Sequence, residues 1–120
     1  MTGRLLVAED DVIIRVMISD FLRDAGFDVT EAGNADEAVA ILESNSPFDV
    51  VFSDIKMPGS MDGQDLARRV EHRWPDTEVI LTSGYSSELS GLAGLAKNRV
   101  LAKPYRPLSV LAAILAVVDP

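Results

Sequence analysis

The stretch LLVAEDDVIIR, residues 5–15, decides the fold, because in it an apolar run passes directly into three acids. Leu5–Ala8 has the composition of a short buried strand, and the residues after Asp11 have helical spacing. Glu9, Asp10 and Asp11 stand where the predicted strand meets the predicted helix. Like charges held side by side repel one another, so a buried strand that ends in three acids requires a stabilising partner at that end.

Short runs rich in Val, Ile and Leu recur along the chain, separated by segments with helical spacing. Apolar runs of this kind are typical of central parallel strands, which are buried on both faces. Five such βα units in 120 residues predict an α/β fold, with a parallel sheet covered by helices on both faces and a single domain over residues 1–120. The predicted strands are Leu5–Ala8, Asp28–Glu31, Asp49–Ser53, Glu78–Thr82 and Arg99–Ala102.

Cap and stop signals mark the ends of the predicted helices. Asn34 is an N-cap candidate, Gly26 can end the first helix in the left-handed region, and Pro107 suits a first helical turn. The predicted helices are Val12–Ala25, 34–44, Gly63–Arg73, one within residues 86–98 (SSELSGLAGLAKN), and one from Pro107 to about Asp119.

The first predicted helix is amphipathic. Arg15, Ser19 and Arg23 recur at every fourth position and predict a polar stripe. Asp11, at the start of this helix, has two interpretations: an N-cap with a favourable charge at the positive end of the helix dipole, or a member of a metal site. The residues then expected to face the core are Ile13, Val16, Met17 and Phe21.

Bulk composition excludes several classes of protein. The formal net charge of −8 disfavours a nucleic-acid binder, because phosphates would be repelled. The chain has no cysteine, which excludes a disulfide framework and thiolate chemistry. No apolar run reaches the roughly 18 residues needed to span a membrane, and the N-terminal run is too short for a signal peptide. We therefore expect a cytoplasmic protein that binds neither nucleic acid nor membrane.

Polar residues follow four of the predicted strands, and the carboxyl ends of parallel strands lie at one edge of the sheet. Three carboxylates held together there would raise one another's pKa unless a cation neutralised them, and Mg²⁺ prefers such oxygen ligands. An ammonium and a hydroxyl beside them suit a phosphoryl group. Together these groups predict Mg²⁺-assisted phosphorylation of a carboxylate. The residues are Glu9 and Asp10 after the first strand, Asp54 after the third, Thr82 at the end of the fourth and Lys103 after the fifth.

Four motifs, taken in order, resemble the receiver domain of two-component response regulators. They are VAEDD at 7–11, DVVFSDIKMPGSMDG at 49–63, VILTSGY at 79–85 and LAKPY at 101–105. The resemblance spans essentially the whole chain. It implies a flavodoxin-like, doubly wound sheet with strand order 2-1-3-4-5 and five helices. It also implies a regulatory phosphoacceptor domain, not an enzyme, that only assists its own phosphorylation and dephosphorylation.

The resemblance gives a role to each residue of the predicted site. Glu9 and Asp10 would form the acidic pair at the Mg²⁺ site, with Asp10 the more direct ligand and Glu9 acting through water. Asp54 would be the phosphoacceptor and would share the metal. The remaining roles are a third protein ligand from the backbone carbonyl of Lys56, the switch hydroxyl of Thr82, a phosphoryl contact from Lys103, and a cis peptide bond between Lys103 and Pro104.

The same resemblance implies a phosphorylation-controlled signalling switch. A histidine kinase or a histidine phosphotransfer protein would donate the phosphoryl group to Asp54, and Thr82 with the fourth-helix region would then change partner binding. The output partner cannot be read from the sequence. The face formed by the fourth predicted helix, the fifth strand and the fifth predicted helix is a candidate homodimer surface.

Two alternative functions remain open. One is a binding module of the same fold without phosphoryl chemistry, although the acids, Asp54, Thr82 and Lys103 are all present. The other is a Mg²⁺-dependent phosphatase that uses Asp54 as nucleophile. Such enzymes usually place a second acid two residues later, where this chain has Lys56.

Two features depart from the commonest receiver pattern. Val100 occupies the position of an aromatic residue that in the family swings inward with the switch hydroxyl, and Tyr85 and Tyr105 are the candidates to replace it. The loop MPGSMDG has one residue more between Pro58 and Met61 than the shorter form, which either changes partner access or only lengthens the loop. The absent aromatic resembles a subgroup of stand-alone or kinase-associated receivers.

Overall fold

Five strands pair in parallel across one sheet. The computed structural model describes residues 3–84 and 100–118, and its strands have the order β2-β1-β3-β4-β5. This is the doubly wound α/β sheet that the sequence predicted, with the strand order that the resemblance implied. The strands are β1 (Arg4–Ala8), β2 (Asp28–Ala32), β3 (Val50–Asp54), β4 (Glu78–Ser83) and β5 (Val100–Ala102); the helices are α1 (Val12–Asp24), α2 (Ala35–Asn45), α3 (Gly63–Arg73) and α4 (Pro107–Val118).

The observed bounds agree closely with the predicted ones. Each strand begins and ends within one residue of its predicted bounds, and α3 has the predicted bounds. Four of the five predicted helices fall on residues that the structure describes. The predicted helix within 86–98 lies outside the described residues, as do Tyr85 and Arg99.

The core forms two layers, one on each face of the sheet. Alternate side chains of a strand point to opposite faces, so Leu6 packs with α2 and α3 while Leu5 and Val7 pack with α1 and α4. Burial on both faces explains why the central strands carry almost unbroken apolar runs. None of the four described helices is both long and apolar enough to cross a membrane.

Side-chain caps fix where the helices begin. Asp11 Oδ1 accepts hydrogen bonds from the backbone nitrogens of Ile13 at 3.0 Å and Ile14 at 3.1 Å, so its interpretation as the N-cap of α1 is confirmed. Asn34 caps α2 as predicted. Gly26, just after α1, has a φ of +104°, the left-handed conformation expected of a helix stop.

The predicted orientation of α1 is wrong for most of the helix. Ser19 is fully buried beside Ile18 and Leu22, whereas Ile13 is 73% exposed and Met17 is 60% exposed. The polar stripe lies over β2, where Glu31 pairs with both arginines of the stripe. Three of the four residues expected to face the core, Ile13, Val16 and Met17, are instead exposed, whereas Phe21 packs partly buried against the core as predicted. The three exposed residues and Val12 form the α1 apolar face, beside the rim of the sheet.

Candidate functional site

The carboxyl ends of four strands bring the predicted site residues to one rim. In the sheet register Ala8 lies opposite Ser53, Asp54 opposite Thr82, and Ser83 opposite Ala102. The residues directly after β1 and β5 continue from these positions, so Glu9 and Lys103 reach the same rim as Asp54. The rule that parallel sheets carry their sites beyond the carboxyl ends of the strands holds here.

Three carboxylates form the acidic part of the site. Glu9, Asp10 and Asp54 each offer an oxygen, and these oxygens all lie within 4.8 Å of one another. Glu9 is 5% exposed and Asp54 is 8% exposed, whereas Asp10 faces solvent. A compact set of carboxylate oxygens, partly buried and open on one side, suits a hard divalent cation such as Mg²⁺. Asp11, whose carboxylate caps α1, is not in the cluster.

Within this cluster the pKa of the Glu9 carboxyl is raised. Burial raises the pKa of its carboxyl to about 7, assisted by a hydrogen bond with Asp10 and by the charge of Asp54. The backbone N–H of Asp11, 3.3 Å from Glu9 Oε2, and the ammonium of Lys103 both act in the opposite direction. The raised pKa of Glu9 therefore reflects first its burial and only then the neighbouring acids, which the ammonium of Lys103 partly offsets.

Lys103 supplies the positive charge of the site. Its Nζ donates to Asp54 Oδ2 at 2.6 Å and lies 3.7 Å from Glu9 Oε1. Burial lowers the pKa of this ammonium, but the hydrogen bond and charge of Asp54, with the charges of Glu9 and Asp10, outweigh burial and raise the pKa overall. Lys103 therefore remains an ammonium throughout the physiological range. The peptide bond that follows it, to Pro104, is cis, as the resemblance implied.

Asp54 is held by the backbone around it. The backbone N–H of Lys56 points to Asp54 Oδ1 with a nitrogen–oxygen distance of 3.4 Å, which places the start of the following loop over the carboxylate. Gly63, the first residue of α3, packs directly on the backbone of Asp54 and Ile55, and its N–H donates to the Ile55 carbonyl at 2.7 Å. A Cβ at Gly63 would lie only 2.7 Å from the Ile55 Cα. The helix can therefore approach the site only with glycine there.

Thr82 is next to Asp54 in the sheet. The two residues are register partners on β3 and β4, and Thr82 is buried at 2% exposure. The Thr82 carbonyl accepts from the Ile55 N–H at 3.0 Å, which continues the ladder one step past Asp54. A hydroxyl at this position borders the acidic cluster without belonging to it.

The loop with the additional residue is anchored to α2. Gly59 has a φ of +109°, which favours glycine, and the following Ser60 donates from Oγ to Asp36 Oδ1 at 2.8 Å. The tie to the first turn of α2 holds the loop beside the site. This contact does not distinguish the two interpretations of the extra residue, and both stay predictions.

A groove of about 540 Å³ opens on the site between α1 and the segment after β5. Ile14 and Met17 line one side, and Tyr105 lines the other together with Asp54 and Lys103. The Tyr105 ring meets Phe52 edge-on with the centroids 5.7 Å apart. Burial, followed by the charges of Glu9 and Asp54, raises the Tyr105 pKa to about 12. Tyr105 thus lines the groove that opens on Asp54, whereas Val100 packs on the opposite face of the sheet.

Two features of the site were not anticipated from the sequence. Arg15 donates to the Glu9 carbonyl at 3.0 Å, although its place in a polar stripe indicated only a solvated helix face. Gly63 packs against the backbone of Asp54 and Ile55. In the sequence, only its position in the MDG motif connected it with the site. A helical arginine five residues after an acidic pair is a signal that could have drawn attention to Arg15.

Comparison with known proteins agrees with this geometry. The family model "Response regulator receiver domain" matches residues 5–115. The transcriptional regulatory protein AruR of Pseudomonas aeruginosa is 34% identical over 113 residues, which cover 89% of this chain and 46% of AruR. The chain spans less than half the length of the curated relatives it matches.

Solved structures give the same result. A receiver domain protein (CheY-like) from Methanospirillum hungatei superposes with a TM-score of 0.87 at 28% identity, over 99% of this chain and 95% of that one. The response regulator protein TrrA from Thermotoga maritima, solved in complex with Mg²⁺-BeF, gives a TM-score of 0.86 at 27% identity, over 97% of this chain and 99% of that one. The acidic cluster at Glu9, Asp10 and Asp54 fits the Mg²⁺ site of receiver domains. This chain belongs to the response regulator receiver domains, the regulatory phosphoacceptor domains of two-component signalling.

Proposed function

We propose that Asp54 accepts a phosphoryl group from a phosphohistidine and that the phosphorylated chain acts as a signalling switch. One observation carries the proposal: the nearly buried Asp54 carboxylate lies within 4.8 Å of two further carboxylates and 2.6 Å from the Lys103 ammonium. Holding a buried carboxylate close to other carboxylates is electrostatically unfavourable. Such arrangements are concentrated at functional sites. The arrangement suits a group that brings both negative charge and strong acceptor oxygens.

The transfer proceeds by displacement at phosphorus. A lone pair on a carboxylate oxygen of Asp54 forms the new O–P bond while the P–N bond of the phosphohistidine breaks, and the electron pair of that bond returns to the imidazole nitrogen. Lys103, which already touches Asp54 Oδ2, pairs with a phosphoryl oxygen. The Thr82 hydroxyl, one strand away, donates to another phosphoryl oxygen and moves toward it. That movement is the start of the switch.

Mg²⁺ is part of the proposal. Asp10 and Asp54 would hold it directly, Glu9 through water, and the backbone carbonyl of Lys56 would complete the protein ligands. The bound ion would neutralise charge on the transferring phosphoryl group. The all-oxygen donor set, with its carboxylate oxygens within 4.8 Å of one another, supports a divalent cation at this position.

The α1 apolar face supports a protein as the phosphodonor. Four apolar side chains on this helix are 42% exposed or more, and Met17 also lines the groove that opens on Asp54. Apolar surface of this kind, next to a site that must be reached by a large reactant, is typical of a docking surface. We propose that a helix of the histidine kinase or the histidine phosphotransfer protein packs there and presents its phosphohistidine to Asp54.

The consequences of phosphorylation for other partners remain predictions. The homodimer surface expected from the sequence includes residues 86–98, which lie outside the described residues; of the remainder, β5 is at the edge of the sheet and Leu108 of α4 is 70% exposed. Both candidates to follow the movement of Thr82 stay open: Tyr85 lies outside the described residues, and Tyr105 lines the groove beside Asp54. The cytoplasmic location also stays a prediction.

Phosphotransfer profiling tests the proposal. Phosphorylated histidine kinases, incubated one at a time with the chain and Mg²⁺, are expected to transfer label to wild type and not to Asp54→Ala. Transfer to Asp54→Ala at the wild-type rate would exclude Asp54 as the acceptor. Release of phosphate from a phosphate ester over many turnovers would instead favour the phosphatase alternative.

A further inference from the structure

Hydrogen bonds and ion pairs through Arg15 connect the acidic pair, Glu9 and Asp10, to β2. Arg15 Nη1 donates to the backbone carbonyl of Glu9 at 3.0 Å, and Arg15 Nε donates to Glu31 Oε1 at 3.3 Å. Glu31 Oε2 in turn accepts from Arg23 Nη2 at 3.0 Å. The Arg15 and Glu31 side chains are only 20% and 25% exposed, so solvent screens this contact less than it screens a surface pair.

The contact acts on the peptide that joins the two metal-binding acids. The Glu9 carbonyl and the Asp10 N–H belong to one planar unit, so fixing the carbonyl fixes the plane from which the Asp10 side chain departs. The preceding peptide is held as well, because the Glu9 N–H donates to the Ala32 carbonyl at 3.0 Å. Glu9 is thus pinned on both sides, by β2 through its N–H and by Arg15 through its carbonyl.

We propose that Arg15, oriented by Glu31, is a positioning residue for the Mg²⁺-binding pair Glu9 and Asp10. This inference rests on the proposed function, in that Mg²⁺ is the ion that the pair holds. Arg15 touches neither the metal nor the phosphoryl group; it sets the backbone that aims the carboxylates. Groups behind metal ligands commonly change affinity by about 10-fold or more when removed.

Charge balance allows an arginine so close to a cation site. The Arg15 guanidinium contacts the backbone of Glu9 and not its carboxylate, and Glu31 neutralises it from the side of β2. Gly33 keeps the space open, since a Cβ there would lie 3.2 Å from Arg15 Nη1. The arginine therefore orders the acidic pair without taking the place of the metal.

Mg²⁺ titration followed by amide NMR shifts tests the inference. Arg15→Gln and Glu31→Gln are each expected to weaken Mg²⁺ binding about 10-fold, and the double variant no more than the worse single one, because both act through one contact. Arg15→Lys, which offers one donor group, is expected to restore part of the affinity. Losses below fivefold in both folded single variants would overturn the inference.

Arg4 provides a matched control at the opposite end of β1. It too donates to backbone carbonyls, those of Asn45 and Pro47, and pairs with an acid of β2, Asp28. Arg4→Gln is expected to lower stability and leave Mg²⁺ affinity within twofold of wild type. An equal loss of affinity in Arg4→Gln would show a general loss of structure and would overturn a specific role for Arg15.

A measurement in metal-free protein separates this inference from the proposed function. In EDTA, Arg15→Gln is expected to shift the amide signals of Glu9 and Asp10, whereas Arg4→Gln leaves them in place. If the wild-type protein does not bind Mg²⁺, the proposed function is wrong. The Glu9 and Asp10 shifts in metal-free Arg15→Gln still test whether Arg15 positions this backbone. Unchanged Glu9 and Asp10 signals in Arg15→Gln would overturn it regardless of the metal.

Discussion

Lys103 Nζ lies 2.6 Å from Asp54 Oδ2, although Asp54 ends β3 and Lys103 follows β5, and β4 lies between these two strands. The lysine side chain therefore crosses the end of β4 to reach the carboxylate. It places an ammonium among the three carboxylates of the rim, where Lys56 also lines the groove. Under the proposed function, this contact is the one that changes when Asp54 receives a phosphoryl group.

Replacing Lys103 is expected to change protein stability and Mg²⁺ affinity in opposite directions. Lys103→Met removes the cation from buried carboxylates, so the metal-free protein is expected to lose about 2 kcal/mol of unfolding free energy. Mg²⁺ affinity is expected to rise, because less positive charge then opposes the ion. Urea unfolding in EDTA and Mg²⁺ titration measure the two quantities. Weaker Mg²⁺ binding in Lys103→Met would contradict this description of the site.

The raised pKa of Glu9 predicts an unusual pH dependence. Its folded pKa of about 7 is above the ordinary value of 4.5, so between these values the folded chain holds a proton that the unfolded chain has released. The Glu9 contribution to unfolding free energy therefore falls as pH rises from 4.5 to 7, by an amount on the order of 2–3 kcal/mol.

Glu9→Gln isolates that contribution. Urea unfolding in EDTA at pH 5 and pH 7.5 is expected to show the variant gaining stability relative to wild type at the higher pH. Mg²⁺ at saturating concentration is expected to reduce the difference, because the ion stabilises the ionised carboxylate. A wild-type minus variant difference that does not change with pH would contradict the assignment to Glu9.

Gly63 is predicted to be irreplaceable where it supports Asp54. In Gly63→Ala the new Cβ meets the backbone of Asp54 and Ile55, which cannot move like a flexible side chain. Unfolding free energy is expected to fall by about 2–3 kcal/mol, and Mg²⁺ binding to weaken as the start of α3 moves away. Gly84→Ala is the matched control for stability, since a Cβ there meets no atom of residues 3–84 or 100–118 within 4 Å; it should change stability by less than about 0.5 kcal/mol.

The α1 apolar face is predicted to matter for transfer and not for folding. Ile13 and Met17 are mostly exposed, so Ile13→Lys and Met17→Lys should each change unfolding free energy by no more than about 0.5 kcal/mol. The rate of phosphotransfer from the donor protein is expected to fall about 10-fold or more, as for loss of a central contact residue. Beryllofluoride binding with Mg²⁺ is the control, and a parallel loss there would point to damage at the site and not to lost docking.

The fold could be read from the sequence because its signals are local or topological. Short apolar runs identified the strands, and single residues such as Asn34 and Gly26 set helix ends. The meeting of Glu9, Asp54 and Lys103 followed from one rule, that parallel strands end at one rim. Distances of 49 residues along the chain, as between Lys103 and Asp54, are no obstacle to a rule of that kind.

The orientation of α1 could not be read in the same way. Periodicity separates polar from apolar residues along the helix. It does not show that Arg15 pairs with Glu31, which lies 16 residues away on β2. That partner turns an apparently solvated stripe toward the sheet and leaves Ile13 and Met17 outside. The role of Gly63 is equally invisible, because a close approach of two backbones is a property of the tertiary structure.

Beryllofluoride, a mimic of the phosphoryl group, tests the central claim most directly. Amide NMR spectra of the wild-type chain with Mg²⁺ are expected to show large shifts on its addition around Asp54, Thr82 and Lys103, and none in Asp54→Ala or without Mg²⁺. Unchanged spectra of folded wild-type protein at saturating Mg²⁺ and beryllofluoride would contradict the assignment of Asp54 as a phosphoacceptor.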